Sequence, residues 1–170
     1  GMIDNHFYTV ARAVHLALCA LLLAFGGQAM AQDALHVTGD SVTTSSEVRA
    51  GEDTVLALAM VPKSGWHGYW VNGGDAGFGM ELEWTKPNGV TIGTPSYPVP
   101  KTYVLQGLMN HVYEQPYAIL IPVTVDKAVP AGSSITLKAA GTWLACSDKT
   151  CVPQDGTFSV TLTVIAADAP

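Results

Sequence analysis

The sequence predicts an all-β domain built as a sandwich of two sheets. Several short runs alternate apolar and polar residues or are continuously apolar, as strands are. Glycine and proline separate these runs, and no segment beyond the N-terminal region shows sustained helical periodicity. Short strands at this spacing favour an immunoglobulin-like sandwich.

The predicted strands follow one another along the chain. Residues 80–84 alternate strictly, which indicates a half-buried strand, and residues 157–164 place threonines on one face and apolar side chains on the other. The remaining candidates are longer or more uniformly apolar, and the first of them ends at Pro62. These candidates are residues 55–61, 118–125 and 134–144.

The N-terminus has the three-part layout of a secretory signal. An apolar run covers residues 13–25, and Ala29-Met30-Ala31 supplies the small residues that cleavage requires. We therefore expect residues 1–31 to be a tag remnant (Gly1) and a cleavable signal helix. The exchange or binding domain is then expected over residues 32–165, with 166–170 as the start of a linker. A signal of this kind predicts export to the periplasm.

The charge distribution argues against one class of partner. The chain has 8 Lys+Arg and 14 Asp+Glu, a net charge of −6, and no basic run or stripe. Nucleic-acid binding proteins present clustered basic residues. We therefore expect no nucleic-acid partner.

Two cysteines carry the strongest chemical signal. Cys146 and Cys151 flank a four-residue polar turn, which suits a hairpin whose cysteines face each other closely enough to bridge. Such a pair in an exported protein can be a structural disulfide, half of a zinc site or a redox centre. Lys149 between them either lowers a thiol pKa or is a solvated turn residue. Residue types alone leave the structural and redox interpretations open.

Three stretches, residues 65–79, 97–103 and 108–116, do not read as strands. They contain most of the tryptophan, tyrosine and histidine side chains outside the predicted strands. Aromatic residues in loops are typical of a binding surface or a lid. Because residues 108–114 follow Gly107 and precede Pro116, we predict that they form a loop.

Ordered motifs make the chain similar to a known family. The motifs are Gly65-Trp-His-Gly-Tyr-Trp70, Gly74-Asp-Ala-Gly77, Asn110-His-Val-Tyr-Glu114, Leu120-Ile-Pro-Val123 and Trp143-Leu-Ala-Cys146 with Cys151-Val-Pro153. Together they resemble the N-terminal periplasmic domain of the thiol:disulfide interchange protein DsbD. The resemblance is greater to the branch that includes the suppressor of copper sensitivity protein B. The cysteine spacing is one residue shorter than in the better-known DsbD branch.

The resemblance implies a function and roles for particular residues. It implies a domain whose Cys146/Cys151 pair cycles between dithiol and disulfide, with no other cofactor, and exchanges electrons through mixed disulfides. Its implied partners are periplasmic thioredoxin-fold proteins and the membrane-embedded and thioredoxin-like domains of a longer protein. Cys151 is the expected site of the mixed disulfide and Cys146 the resolving thiol. Residues expected around the pair as a shell or lid are Trp66, His67, Tyr69, Trp70, Asn110, His111, Tyr113 and Glu114, with Tyr113 covering the sulfurs or, alternatively, packed as a core or edge aromatic.

Two alternatives stay open at this stage. A binding or adaptor sandwich with a structural disulfide needs no redox cycle. His67, His111 and Met109 also suggest copper, although loop histidines more often bond to backbone atoms, and we assign no metal ligand.

Overall fold

The computed structural model describes residues 34–170, so the predicted signal segment and its cleavage site lie outside the described residues. The described part is entirely β. No helix in it has the length and apolar character needed to cross a bilayer. Its strands are β1 (Val37–Thr43), β2 (Glu47–Arg49), β3 (Asp53–Pro62), β4 (Gly68–Gly74), β5 (Glu81–Thr85), β6 (Val90–Ile92), β7 (Lys101–Leu105), β8 (Leu108–Tyr113), β9 (Tyr117–Val125), β10 (Ser134–Cys146) and β11 (Cys151–Ile165).

Two four-stranded sheets form the sandwich. One has the order β1-β3-β9-β6 and the other β2-β11-β10-β5. Every pairing in them is antiparallel except β2 with β11. Each of the five predicted strands coincides with a strand of these sheets, and the predicted sandwich is confirmed.

The core lies between the two sheets. It forms because successive side chains of a strand point to opposite faces of the sheet, so every second residue faces inward. Alternate residues of β3 and β9 point inward, and β10 and β11 supply the opposing layer. Buried polar groups are paired where the layers meet. Gln154 Oε1 accepts from Val37 N at 3.0 Å, and Trp143 Nε1 donates to Val37 O at 3.0 Å. These bonds tie the end of β10 and the start of β11 to β1.

A third sheet, of order β4-β8-β7, lies beside the end of β10. It forms around a second, smaller cluster of buried residues, Tyr69, Val112, Leu144 and Cys146. Backbone bonds join the segment before β4 to β10: His67 N donates to Cys146 O at 2.9 Å, and Cys146 N donates to His67 O at 3.1 Å. The third sheet thus extends the sandwich at the cysteine pair.

The loop prediction for residues 108–114 is wrong, because Leu108–Tyr113 is strand β8. The preceding Gly107 does not mark a loop. Gln106 (φ 52°) and Gly107 (φ 82°) form a two-residue turn that pairs Leu105 with Leu108, and tight hairpins use positive φ in this way. The other two stretches that did not read as strands also contain strand residues: β4 lies entirely within residues 65–79, and β7 begins within residues 97–103.

Candidate redox site

The two cysteines form a disulfide at the tip of the longest hairpin. Cys146 is the last residue of β10 and Cys151 the first of β11, directly opposite in register. Their sulfurs are bonded, and their Cα atoms are 4.1 Å apart. The predicted intramolecular pairing across a hairpin turn is confirmed.

Ser147 organises the turn between the cysteines. Its backbone N donates to Thr150 O at 2.8 Å, and its Oγ accepts from the backbone N of Lys149 and of Thr150, at 3.2 Å each. Serine commonly stabilises turns with such local bonds. These bonds hold the turn that leads into Cys151.

The two cysteine residues differ sharply in exposure. Cys146 is 1% exposed, whereas Cys151 is exposed to solvent. Cys146 is enclosed because its backbone pairs with His67 on one side while Tyr69, Val112 and Leu144 pack around it. An incoming thiolate must approach a sulfur directly. Cys151 is the more accessible of the two residues.

His67 and two tyrosines form an aromatic wall beside the bridge. His67 Nε2 lies 3.2 Å from the Tyr69 hydroxyl, and the His67 ring centroid lies 5.3 Å from those of Tyr69 and Tyr103. Burial lowers the pKa of His67, and the nearby Glu114 carboxylate partly opposes that shift. Burial, with a smaller contribution from Tyr103, raises the pKa of Tyr69. Both side chains are therefore held in their neutral forms.

Asn110 lies on β8 near the same wall and is 4% exposed. Its Nδ2 donates to Leu108 O at 3.2 Å. Its Oδ1 is buried and has no hydrogen-bond partner. Buried polar atoms in native proteins are nearly always paired, so this one calls for an explanation.

These residues line a groove of about 260 Å³ that includes both cysteines. Of the residues expected from the sequence, His67, Tyr69 and Asn110 lie in it. The sequence did not single out several others. The complete lining is His67, Tyr69, Ala76, Tyr103, Leu105, Gln106, Leu108, Asn110 and residues 146–151.

The loop after β4 shapes one side of this groove. Asp75 N donates to Met109 O at 2.7 Å, and Asp75 Oδ2 accepts from Met109 N at 2.8 Å, which fastens the loop to β8. A Cβ atom on Gly77 would lie 2.0 Å from the Tyr69 ring. Glycine is therefore required at Gly77 for Tyr69 to pack where it does.

The other expected shell residues lie outside this groove. Trp66 stacks on His36 with ring centroids 3.6 Å apart. Trp70 packs edge-on against His111, whose Nδ1 lies 3.0 Å from Asn72 O. Glu114 forms an ion pair with Lys101.

Tyr113 is not placed over the sulfurs, which corrects the expectation from the resemblance. Its hydroxyl donates to Pro98 O at 2.6 Å, and its ring stacks on Tyr117 with centroids 4.1 Å apart. Burial raises the pKa of Tyr113 to about 12. It lines a larger apolar pocket, of about 600 Å³, that includes neither cysteine. Tyr113 is therefore a packed aromatic, which was the alternative interpretation. The tyrosine that lines the groove beside the cysteines, in addition to Tyr69, is Tyr103.

The histidines do not assemble a metal centre within residues 34–170. There, no three His, Cys, Asp or Glu side chains are grouped so that they could hold a metal ion. His67 faces Tyr69 and Tyr103, whereas His111 faces Trp70 and the Asn72 carbonyl. The two side chains thus have separate surroundings.

Comparison with known proteins agrees with this geometry. Residues 34–163 match the family described as "Thiol:disulfide interchange protein DsbD, N-terminal". No curated protein sequence gives a significant match.

The chain is similar to two solved structures, the first of which shares its fold. The N-terminal periplasmic domain of ScsB from Proteus mirabilis has a TM-score of 0.56 and 19% identity, over 82% of this chain and 49% of that chain. The present chain thus spans about half of that structure. The reduced N-terminal domain of DsbD from Neisseria meningitidis has a TM-score of 0.46 and 14% identity, over 74% of this chain and 85% of that one.

Proposed function

The chain belongs to the family of N-terminal domains of the thiol:disulfide interchange protein DsbD, and we propose that it passes reducing equivalents to partner proteins through Cys146 and Cys151. Family membership supports a thiol–disulfide oxidoreductase activity in general. The observation that carries the proposal for this chain is the unequal exposure of the two cysteine residues in one strand-tip disulfide.

The unequal exposure supports a defined order of steps. A partner thiolate attacks Cys151 Sγ, the Cys146–Cys151 bond breaks, and Cys146 leaves as a thiolate that takes up a proton. The partner is then held to Cys151 in a mixed disulfide. In the reverse direction, the Cys151 thiolate attacks a partner disulfide and Cys146 resolves the mixed disulfide. Both electrons reside on the cysteines, so the exchange needs no other cofactor.

The partners we propose are thioredoxin-fold proteins of the periplasm, together with membrane-embedded and thioredoxin-like domains of a longer protein. Family membership supports partners of the thioredoxin-like class. The periplasmic location of the ScsB domain, together with the signal-like N-terminus, supports the same compartment for this chain.

The reduction potential tests this function. The domain is equilibrated in dithiol redox buffers, and the disulfide fraction is measured by alkylation and mass. Structural disulfides have potentials below about −300 mV, and we expect this one to lie above that value. A lower potential would instead identify an adaptor domain with a structural bridge.

Single-cysteine variants test the assignment of roles. Cys146→Ala leaves the exposed Cys151 thiol, and its matched control Cys151→Ala leaves the buried one. With an aromatic disulfide reagent, we expect Cys146→Ala to react about tenfold faster or more, because access and thiolate character set the rate. Cys146→Ala should also retain covalent partners from periplasmic extract. Equal rates for the two variants would contradict the assignment.

A further inference from the structure

Asn110 presents a buried acceptor that no protein atom of the domain satisfies. Its Oδ1 is the one side-chain nitrogen or oxygen atom in residues 34–170 that is buried without a hydrogen-bond partner. Other polar side chains beside the bridge have partners: the Tyr69 hydroxyl lies 3.2 Å from His67 Nε2, and Ser147 Oγ accepts two backbone bonds. Asn110 is thus the exception in an otherwise satisfied site.

Rotating the amide does not remove the problem. As placed, Nδ2 donates to Leu108 O. In the flipped orientation Oδ1 would face that carbonyl oxygen, and Nδ2 would become the unpaired atom. A buried unsatisfied polar atom destabilises a fold, which offsets what the bond from Nδ2 to Leu108 O contributes to the free domain. The amide therefore points to an interaction made in another state.

Its position identifies that state. Asn110 lines the groove that contains both Cys146 and the exposed Cys151. A polypeptide whose cysteine attacks Cys151 brings backbone N–H groups to the same groove, since every residue except proline carries one. A neutral N–H suits the site, because burying an ammonium group would cost far more than burying an amide.

We propose that Asn110 recognises the backbone of the exchange partner, with Oδ1 accepting a hydrogen bond from an amide N–H that flanks the partner's cysteine. The inference rests on the proposed exchange function. Asn110 positions the partner and takes no part in the bonds that form and break. The bond is independent of the partner's side chains, so it favours polypeptide thiols over small thiols without selecting one sequence.

Access to Asn110 involves the turn between β7 and β8. Oδ1 is shielded from solvent, and Leu105, Gln106 and Leu108 line the same groove. A partner must shift this turn to reach the amide. The bond to the partner N–H then compensates for displacing the turn, and a thiol without amides gains no such compensation.

The test compares two kinds of thiol on matched variants. Asn110→Leu removes the amide at similar volume, and Met109→Leu is the control on the neighbouring, outward-facing position of β8. The probes are the reduced peptide acetyl-Ala-Cys-Ala-methylamide, the same peptide N-methylated at one flanking amide at a time, and 2-mercaptoethanol. The measurement is the second-order rate of reduction of the Cys146–Cys151 bridge. Variant-to-wild-type ratios for each probe cancel differences in thiol pKa.

We expect Asn110→Leu to slow the peptide about fivefold to tenfold, as loss of one hydrogen bond does. The 2-mercaptoethanol rate and the Met109→Leu rates should be unchanged. The melting temperature of Asn110→Leu should be close to that of the wild type, because the variant loses the Nδ2–Leu108 O bond together with the unpaired Oδ1. N-methylation of the donating amide should slow the wild type but not Asn110→Leu.

Other outcomes overturn the inference in distinguishable ways. Equal slowing of both kinds of thiol, or a large drop in melting temperature, would assign Asn110 a structural role. An unchanged peptide rate would mean that water satisfies Oδ1. A wild-type bridge that neither thiol reduces would overturn the proposed function itself.

Discussion

Cys146 is buried because both faces of β10 are covered where that strand ends. Trp143 and Ala145 face the sandwich core, while Leu144 and Cys146 face the third sheet. Residue types predict the pairing of the cysteines. They do not predict which cysteine is buried, because that depends on a sheet formed by β4, β7 and β8, elsewhere in the chain.

His67 should make the stability of the domain depend on pH. Burial lowers its pKa in the folded state below the usual 6.5. The unfolded chain therefore binds a proton more readily, and stability rises with pH wherever that is so. The contribution of His67 is complete above about pH 6.5 and is lost as the pH falls towards the folded-state pKa. We expect the free energy of unfolding, measured with urea, to fall between pH 7.5 and 5.5.

Two variants separate His67 from other titrating groups. His67→Gln keeps a side chain that can bond to the Tyr69 hydroxyl, and it should flatten the decline over this range. His111→Gln, on β8, should retain the wild-type dependence. A decline that is the same in all three proteins would assign the effect to other groups.

At the scale of elements, the β7–β8 hairpin is where sequence reasoning failed. The strand pattern is hidden because Asn110 and His111 interrupt the apolar residues of β8. Gln106 adopts a positive φ, which is uncommon for a residue other than glycine, so the turn lacks the usual Asn-Gly signature. Its neighbour Gly107 was the visible signal for a two-residue turn.

The two tyrosines should respond differently to truncation. Tyr103→Ala removes a half-buried ring from the wall of the groove. It should speed reduction of the bridge by glutathione severalfold, since access helps to set the rate, at a stability cost of about 1–2 kcal/mol. Tyr113→Ala removes a buried ring stacked on Tyr117. It should cost about 3 kcal/mol or more and leave the rate unchanged.

The check is to measure, for both variants and the wild type, the rate at which glutathione reduces the bridge and the free energy of unfolding in urea. Each tyrosine variant serves as the control for the other, because the deleted groups are identical. Faster reduction in Tyr113→Ala alone would restore Tyr113 as the cover of the sulfurs.

At the scale of the whole molecule, the sandwich could be predicted and the site only in part. Strands β3, β9, β10 and β11 carry uninterrupted or alternating apolar runs, because they face a single large core. The third sheet surrounds only a small buried cluster, and some of its positions are glycines against which other side chains pack closely. Its strands therefore lack an apolar or alternating pattern. Gly68 shows why: a Cβ there would lie 2.3 Å from the Tyr117 hydroxyl oxygen. Apolar patterns along a short stretch of sequence indicate which face of a strand meets the core. The groove instead depends on contacts between strands that are distant in the sequence.

Because the large core and the small cluster around Cys146 are separate, we predict that reduction of the bridge leaves the fold intact. Within residues 34–170, nineteen buried residues pack between the two main sheets, and only four form the cluster that contains Cys146. The bridge closes a six-residue ring, for which the loss of chain entropy corresponds to about 2 kcal/mol. Ladder pairs from Ser134 to Ala145 hold β10 to β11 independently of the bridge. Urea unfolding should therefore show a single cooperative transition both with and without dithiothreitol, and the two free energies of unfolding should differ by about 2 kcal/mol.

The Cys146→Ala/Cys151→Ala double variant is the control, and dithiothreitol should not change its transition. If the reduced wild type loses its cooperative transition at 25 °C, the bridge is a structural requirement, and a domain that must survive every redox cycle could not use it for exchange.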